Sequence, residues 1–520
     1  MKSKRASKSS ASLPPSNPSR GFGALLALAL LSVGAVIYVS AQDWTLYYGD
    51  AQAHLNIARR IVDARLPGYE QIGTVWLPLP HLLMLPFTMI DALWRSGIGG
   101  AIPAALCFVL GGWFLYQATR RIFGSPAPAA AALASYALNP NLLYLQSTPM
   151  TESMSLCCAL GLLYACARFR QSQRTADALL AGVIACCGTL IRYEGWFLLP
   201  FAAGFFLLHG GGNRWRSTVA FCLIAALGPL YWLAHNAILY SDPLEFYRGE
   251  WSAKMIYQRA LAQGGFRYPG DHDWPKAWQY YRAAAELCIG RPLAWLGVAG
   301  LAAALFKRAW WAVALLALTP AFYVLSLYSS GTPIFVPTLW PNTYYNTRYG
   351  LNFLPLACFG IAALTALLPI RWRTLPAVLL VAASVSPWAG YPLKENWVTW
   401  RESEQNSADR REWTKLAVDY LKPRYKPGAG IFMGFGDQSG VLREAGIPLR
   451  ESFHQGDGPF WQASAARPDL FLWQEWAIAL PGDDVSKTLR RMKRGPRRYE
   501  CVRIFAVHER PAIEIWRHIQ

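Results

Sequence analysis

YYGDAQAHLNIARRIVDARLPGYEQIGTVWLPLPHLL, from Tyr47 to Leu83, decides how the chain is read, because it puts charge and histidine directly after a long apolar run, Phe22 to Ala41. If that run crosses a membrane, the stretch is its first outer loop and Asp50 stands beside the bilayer surface, where an acid is a candidate functional group. Ala51, Leu55, Ala58, Ile61 and Val62 recur at helical spacing, with Gln52, Asn56, Arg59, Arg60 and Asp63 on the other faces. This pattern predicts a helix lying along an interface. The Pro-rich WLPLPHLLMLPFTMI that follows is too interrupted for a clean span and reads as a re-entrant or surface helix.

Outward from this loop the chain is too apolar, at 53% hydrophobic residues, for a string of soluble domains. Apolar stretches near Phe22–Ala41, Ile98–Thr119, Pro126–Leu145, Ser153–Ala167, Ala176–Ile191, Trp196–Leu208, Ser217–Ile238, Leu293–Phe306, Ala309–Leu327, Tyr349–Leu368 and Thr374–Trp388 give about 11 spans. Every second connection is basic: Lys2, Lys4, Arg5, Lys8 and Arg20; Arg120 and Arg121; Arg168, Arg170 and Arg174; Arg214 and Arg216; Lys307 and Arg308; Arg371 and Arg373. Asp177 is the lone acid among them. The positive-inside rule places these loops and the amino terminus in the cytoplasm and the carboxy-terminal segment outside. Most of the +19 net charge is therefore a topology signal, and a nucleic-acid partner is excluded.

The fold class expected is mainly α: a polytopic helical membrane protein with a small carboxy-terminal α/β domain outside the cytoplasm. Residues 1–20 are polar, basic and Pro/Ser-rich, a disordered cytoplasmic tail; residues 21–390 form the transmembrane domain, including outer loop 42–97; residues 391–520 form the outer domain. The first apolar run reads as an uncleaved anchor, although Val39-Ser40-Ala41 also offers a cleavage site. Eight of ten cysteines fall in apolar spans and read as small buried hydrophobes. In the outer domain DRREWTKLAVDYLKPRY and VSKTLRRMKR have helical periodicity, GIFMGFG reads as a strand, and YECVRIFAVHE with AIEIWRH as a strand pair turning at Arg510-Pro511. GFGDQSG lacks the third glycine of a dinucleotide loop, Ser439 standing in its place. The basic run Lys487–Arg498 reads first as a solvated helix face, with anionic lipid headgroups or a phosphate as the alternative partner.

Polar groups recur at the outer ends of the spans: Asp50 and His54; Thr148, Thr151 and Glu152; Arg192, Tyr193 and Glu194; Arg348 and Tyr349. Bundled spans would bring these sets to one outer cavity, with carboxylates to take a proton and guanidinium groups to hold a phosphate. Each has a blander reading. Asp50 could cap its helix, Glu152 could serve a helix dipole, Arg192 and Glu194 could pair only with each other, and Arg348 could snorkel to headgroups. His54 could be a metal ligand or substrate contact, against a structural hydrogen bond. No motif fixes a cofactor, and a divalent metal is left open.

The order of parts resembles the GT-C superfamily of polytopic glycosyltransferases, nearest to the protein mannosyltransferase and aminoarabinose transferase group. GDAQAHLNIARRI, WLPLPHLLMLP, AIPAALCFVLGGWFLYQATRRIFG, STPMTESMSL, LLAGVIACCGTLIRYEGWFLLP and RYGLNFLPL carry the resemblance, over roughly Phe22 to Leu368. It implies inverting transfer of a sugar from a polyprenyl-phosphate carrier to a protein, lipid or glycan acceptor, on the outer face of a bacterial inner membrane. By position it implies Asp50 as catalytic base, Glu152 as the second acid, and Arg192 where relatives often carry a lysine near the carrier phosphate. His54, Glu194, Arg348 and Tyr349 are the further substrate-binding candidates. The sequence departs from its relatives where their Lys-Pro-Pro is Leu77-Pro78-Leu79-Pro80. A transporter or flippase of lipid-linked components, or a noncatalytic scaffold, is the competing class, and the paired broken helices of transporters are not evident.

Overall fold

The computed structural model describes residues 19–390, 396–492 and 498–519. The expected disordered tail, apart from its last two residues, and residues 493–497 of the basic run lie outside the described residues.

Every apolar stretch named above is helical, but fewer helices qualify as spans by length and apolarity. Five do: Gly21–Ala41, Ile98–Phe123, Gly211–Tyr240, Trp310–Tyr328 and Thr347–Leu367. A sixth is formed if Trp274–Ile289 and Arg291–Phe306, bent by 111° at Gly290, are one broken span. The Thr175–Thr189 and Glu194–His209 helices are shorter than about 30 Å of hydrocarbon requires. The Pro126–Leu145 stretch is two helices, because Asn139-Pro140 breaks it and the Asn139 side chain accepts from Leu142 N at 3.0 Å to start the second.

Small residues set the closest helix crossings. Gly300 and Gly360 face each other where Arg291–Phe306 crosses Leu354–Leu367, and a Cβ on Gly300 would lie 2.1 Å from the Gly360 carbonyl oxygen. Helix α1 (Ser19–Ala41) leans on Ile98–Phe123 at Gly112, where Leu28 fills the space a Cβ would take.

Helix α2 (Gly49–Arg60) forms where the periodicity predicts it, but it does not lie with a polar face in water. Gln52, Asn56 and Arg59 are buried with Leu55 and Ala58. The carboxy-terminal part covers them. Asn56 donates to Ser439 Oγ at 2.9 Å, and Arg59 bonds Asp63 at 2.9 Å and Asp91 at 2.6 Å. Asp63 in turn accepts from Leu449 N and the Arg450 guanidinium. The Pro-rich segment forms helix α3 (Leu79–Thr88), starting after Pro78.

The carboxy-terminal part is α/β. Its five strands are β1 (Ile431–Met433), β2 (Ser452–Phe453), β3 (Trp476–Ala479), β4 (Arg498–Val507) and β5 (Arg510–Ile519), in the order β2-β1-β3-β5-β4. β1 runs parallel to β2 and β3, and β5 runs antiparallel to β3 and β4. The hairpin turns at His508-Glu509, two residues before the expected Arg510-Pro511. Both turn residues have positive φ (48° and 61°), the tight-turn conformation that matches strand twist, and Arg510 already pairs with Val507. The GFGDQSG segment is a loop from β1 to the short helix Ser439–Ala445, docked on α2 through Ser439. The helix Val398–Leu421 leads into this sheet and packs against the membrane part, with Thr399 O accepting from Tyr48 Oη at 2.7 Å.

Candidate active site

Four segments distant in sequence meet at one end of the helices. Asp50 lies in the first turn of α2, Glu152 opens the helix Glu152–Ser172, Arg192 and Glu194 stand at the break before Glu194–His209, and Arg348 and Tyr349 lie in the 3-10 turn Thr347–Phe353.

Arg348 is the hub and is buried, so it does not snorkel. Its Nη2 bonds Asp50 Oδ2 at 2.5 Å, its Nε bonds Glu152 Oε1 at 3.1 Å, and its Nη1 bonds Glu402 Oε1 at 3.2 Å. Its backbone N–H also donates to Glu402 Oε2. Arg192 does more than pair with its neighbour Glu194 at 2.9 Å: it donates to Thr151 Oγ1 at 3.0 Å, Glu152 at 3.3 Å and Tyr323 Oη at 2.9 Å. The Tyr349 ring lies beside both guanidinium groups, 5.0 Å from Arg192 and 5.1 Å from Arg348, and the Tyr48 ring lies 4.9 Å from Arg348. Glu194 also accepts from Ser155 Oγ and Tyr323 Oη.

Four carboxylates thus surround two guanidinium groups. Asp50 makes no capping bond, and 44% of its side chain is exposed while the other three acids are buried. Glu152 Oε2 is buried without a hydrogen-bond partner. Burial raises the Glu402 carboxyl above its ordinary range, with Arg348 and its backbone N–H opposing.

His54 takes the structural option. Its Nδ1 is 2.9 Å from His81 Nε2, and its ring packs 4.6 Å from Trp76. Burial, with Arg192 and Arg348 nearby, lowers it to about 3, so it is a neutral imidazole at ordinary pH. Thr148 lies in the turn after the helix Pro140–Leu145 and donates back to Leu145 O. Among the described residues no three His, Cys, Asp or Glu side chains are grouped to hold a metal ion.

Sequence reasoning missed Glu402, Tyr48, Tyr323 and Ser155. Glu402 lies in TWRESEQNSADRRE, where alternating charge imitates a solvated helix, and Tyr323 lies inside an apolar run. A buried Trp400 two residues before Glu402 is the one local hint that this turn faces inward.

Residues 82–235, which hold Glu152, Arg192 and Glu194, match the family model described as dolichyl-phosphate-mannose-protein mannosyltransferase. Among solved structures, ArnT from Cupriavidus metallidurans bound to undecaprenyl phosphate matches with TM-score 0.53 and 12% identity, covering 93% of this chain and 97% of that one. The apo state of the same protein matches with TM-score 0.55 at 12% identity over the same shares. An oligosaccharyltransferase from Archaeoglobus fulgidus, in complex with Zn and sulfate, matches with TM-score 0.46 and 13% identity over 88% of this chain and 68% of that one. No curated protein sequence matches significantly. The chain is an integral membrane protein with the ArnT fold, and residues 82–235 match the mannosyltransferase family model, in keeping with the resemblance its sequence pattern carries.

Proposed function

We propose that the protein is a glycosyltransferase that moves a sugar from a polyprenyl-phosphate carrier to an acceptor hydroxyl, with inversion, at the outer face of a bacterial inner membrane. The carrying observation is Asp50, a partly exposed carboxylate aimed by a buried arginine in an otherwise enclosed cluster. The acceptor oxygen attacks the anomeric carbon as the bond to the carrier phosphate breaks; the acceptor proton passes to Asp50 and the electron pair leaves with the phosphate. Exposure lets Asp50 return the proton to water.

Glu152, held between Arg192 and Arg348, fixes the spacing of the two cations. All three side-chain nitrogens of Arg348 are engaged by carboxylates, so its role is read as positioning Asp50 rather than holding phosphate, a change from the sequence expectation. Arg192, whose Nη2 meets the neutral Tyr323 hydroxyl and no carboxylate, is the guanidinium assigned to the leaving phosphate, with Tyr349 alongside. Glu194 orients Arg192, and His54 supports the α2–α3 contact. Donor preference is tested by incubating purified protein with labelled polyprenyl-phosphate sugars and candidate acceptors. Transfer with inverted anomeric configuration is expected; carrier-linked sugar moved across vesicles without bond cleavage would replace this reading with a flippase.

A further inference from the structure

A second cavity lies away from the charged cluster, between the end of the first outer loop and the carboxy-terminal sheet. It encloses 350 Å³ and is lined by Arg65 of the loop and by Phe453, Asp457, Phe460, Phe471 and Trp473. Three of its rings stand in solvent, Phe460 at 64%, Phe471 at 47% and Trp473 at 72% exposure, and exposed aromatic groups gathered at one mouth mark a binding surface. The polar groups are equally specific. Asp457 is buried, and while its Oδ2 accepts from His454 N at 2.8 Å, its Oδ1 has no hydrogen-bond partner. Arg65 lies over the Phe453 ring at 5.2 Å, and its charge favours the Asp457 carboxylate across the cavity.

A ligand that fits must offer flat apolar faces to the rings and hydroxyl groups to a carboxyl oxygen and a guanidinium. Hydrocarbon chains would cover the rings but leave Asp457 Oδ1 unsatisfied, which is costly for a buried acceptor. A saccharide meets both demands. We infer that this cavity binds a carbohydrate unit of the acceptor, at a distance from the unit being glycosylated. The placement agrees: α2 carries Asp50 at its start, and Arg60 near its end lies about 15 Å along the axis, just before the turn that leads to Arg65. An acceptor several sugars long would reach from one site to the other. The assignment of the occupant as acceptor rests on the transferase reading; the binding of saccharide does not.

The test uses the full chain in detergent, labelled with 5-fluorotryptophan, with the Trp473 fluorine signal assigned by its loss in Trp473→Phe. Cellotetraose, mannotetraose and chitotetraose are titrated separately, and phosphatidylglycerol vesicles are added in a parallel series. A saturable shift of the Trp473 signal with at least one tetrasaccharide is expected, weakened about threefold to tenfold in both Phe460→Ala and Arg65→Gln, as loss of one ring or one charged contact implies. Both side chains are exposed, so neither change removes a core residue. No shift with any tetrasaccharide, a shift indifferent to both variants, or a shift produced by vesicles alone would overturn the inference. Sugar binding without any transfer would instead count against the catalytic reading and leave this site standing.

Discussion

Asp50 and Glu402 hold opposite sides of Arg348, and their substitutions separate chemistry from architecture. Asp50→Asn keeps the shape and removes the proposed proton acceptor, so turnover is expected to fall by about 10² to 10⁴ while the amount of folded protein is unchanged; transfer assays on matched quantities of purified variant check it. Glu402→Ala leaves the Arg348 guanidinium short of one buried partner and is expected to destabilise by about 3 to 5 kcal/mol. Glu402→Gln retains an acceptor and should stay folded with lower turnover, so thermal unfolding and activity must diverge between these two variants. His54 gives a pH signature. The folded protein holds it near 3 and the unfolded chain near its ordinary 6.5, so its full contribution is present above pH 6.5. Below that, the unfolded state takes up a proton that the folded state refuses, and stability falls by up to about 1.4 kcal/mol per pH unit until pH 3. The loss of melting temperature between pH 7 and pH 5 is therefore expected to shrink in His54→Gln. Residues at helix starts, such as Asp50, Glu152 and Arg348, were legible because breaks and charges coincide there; Glu402 was not, since its sequence neighbours imitate an exposed helix.

At the level of elements, helical periodicity located α2 and the apolar runs, but periodicity reports one face at a time. The polar face of α2 looks like a solvent face because nothing local says that a short helix beginning 383 residues later will cover Asn56. Span length is likewise a tertiary matter. A 15-residue apolar helix such as Thr175–Thr189 has the right composition, and only its packing against neighbours decides how it is accommodated. Glycine at the Arg291–Phe306 and Leu354–Leu367 crossing shows the same limit: in sequence Gly300 and Gly360 are ordinary small residues, and in the fold Gly360 occupies the Cβ space of Gly300 while Gly297 occupies that of Gly360. Gly300→Val is therefore expected to force the two helices apart and cost at least about 1 to 3 kcal/mol, seen as a lower melting temperature in detergent with the isolated helices' circular dichroism unchanged.

The whole molecule is held together across its two compositional halves. Arg410 of the helix Val398–Leu421 donates to the Leu46 and Tyr47 carbonyls, Arg443 donates to Arg95 O at 2.8 Å, and Glu402 reaches the site itself. The carboxy-terminal part must then lie on the same side of the membrane as Asp50. The charge pattern predicts that this is the outer side: sixteen basic residues stand against Asp177 in alternate connections. Arg168 pairs with that one acid at 2.9 Å. A cysteine placed at Phe460, exposed in the carboxy-terminal part, is therefore expected to react with an impermeant thiol reagent added to intact cells, above the labelling of the unmodified chain, while a cysteine at Arg214 reacts only after the membrane is opened. Labelling at Arg214 from outside would invert the topology, and because the contacts tie Glu402 to Asp50, it would carry the proposed site to the cytoplasmic face with it.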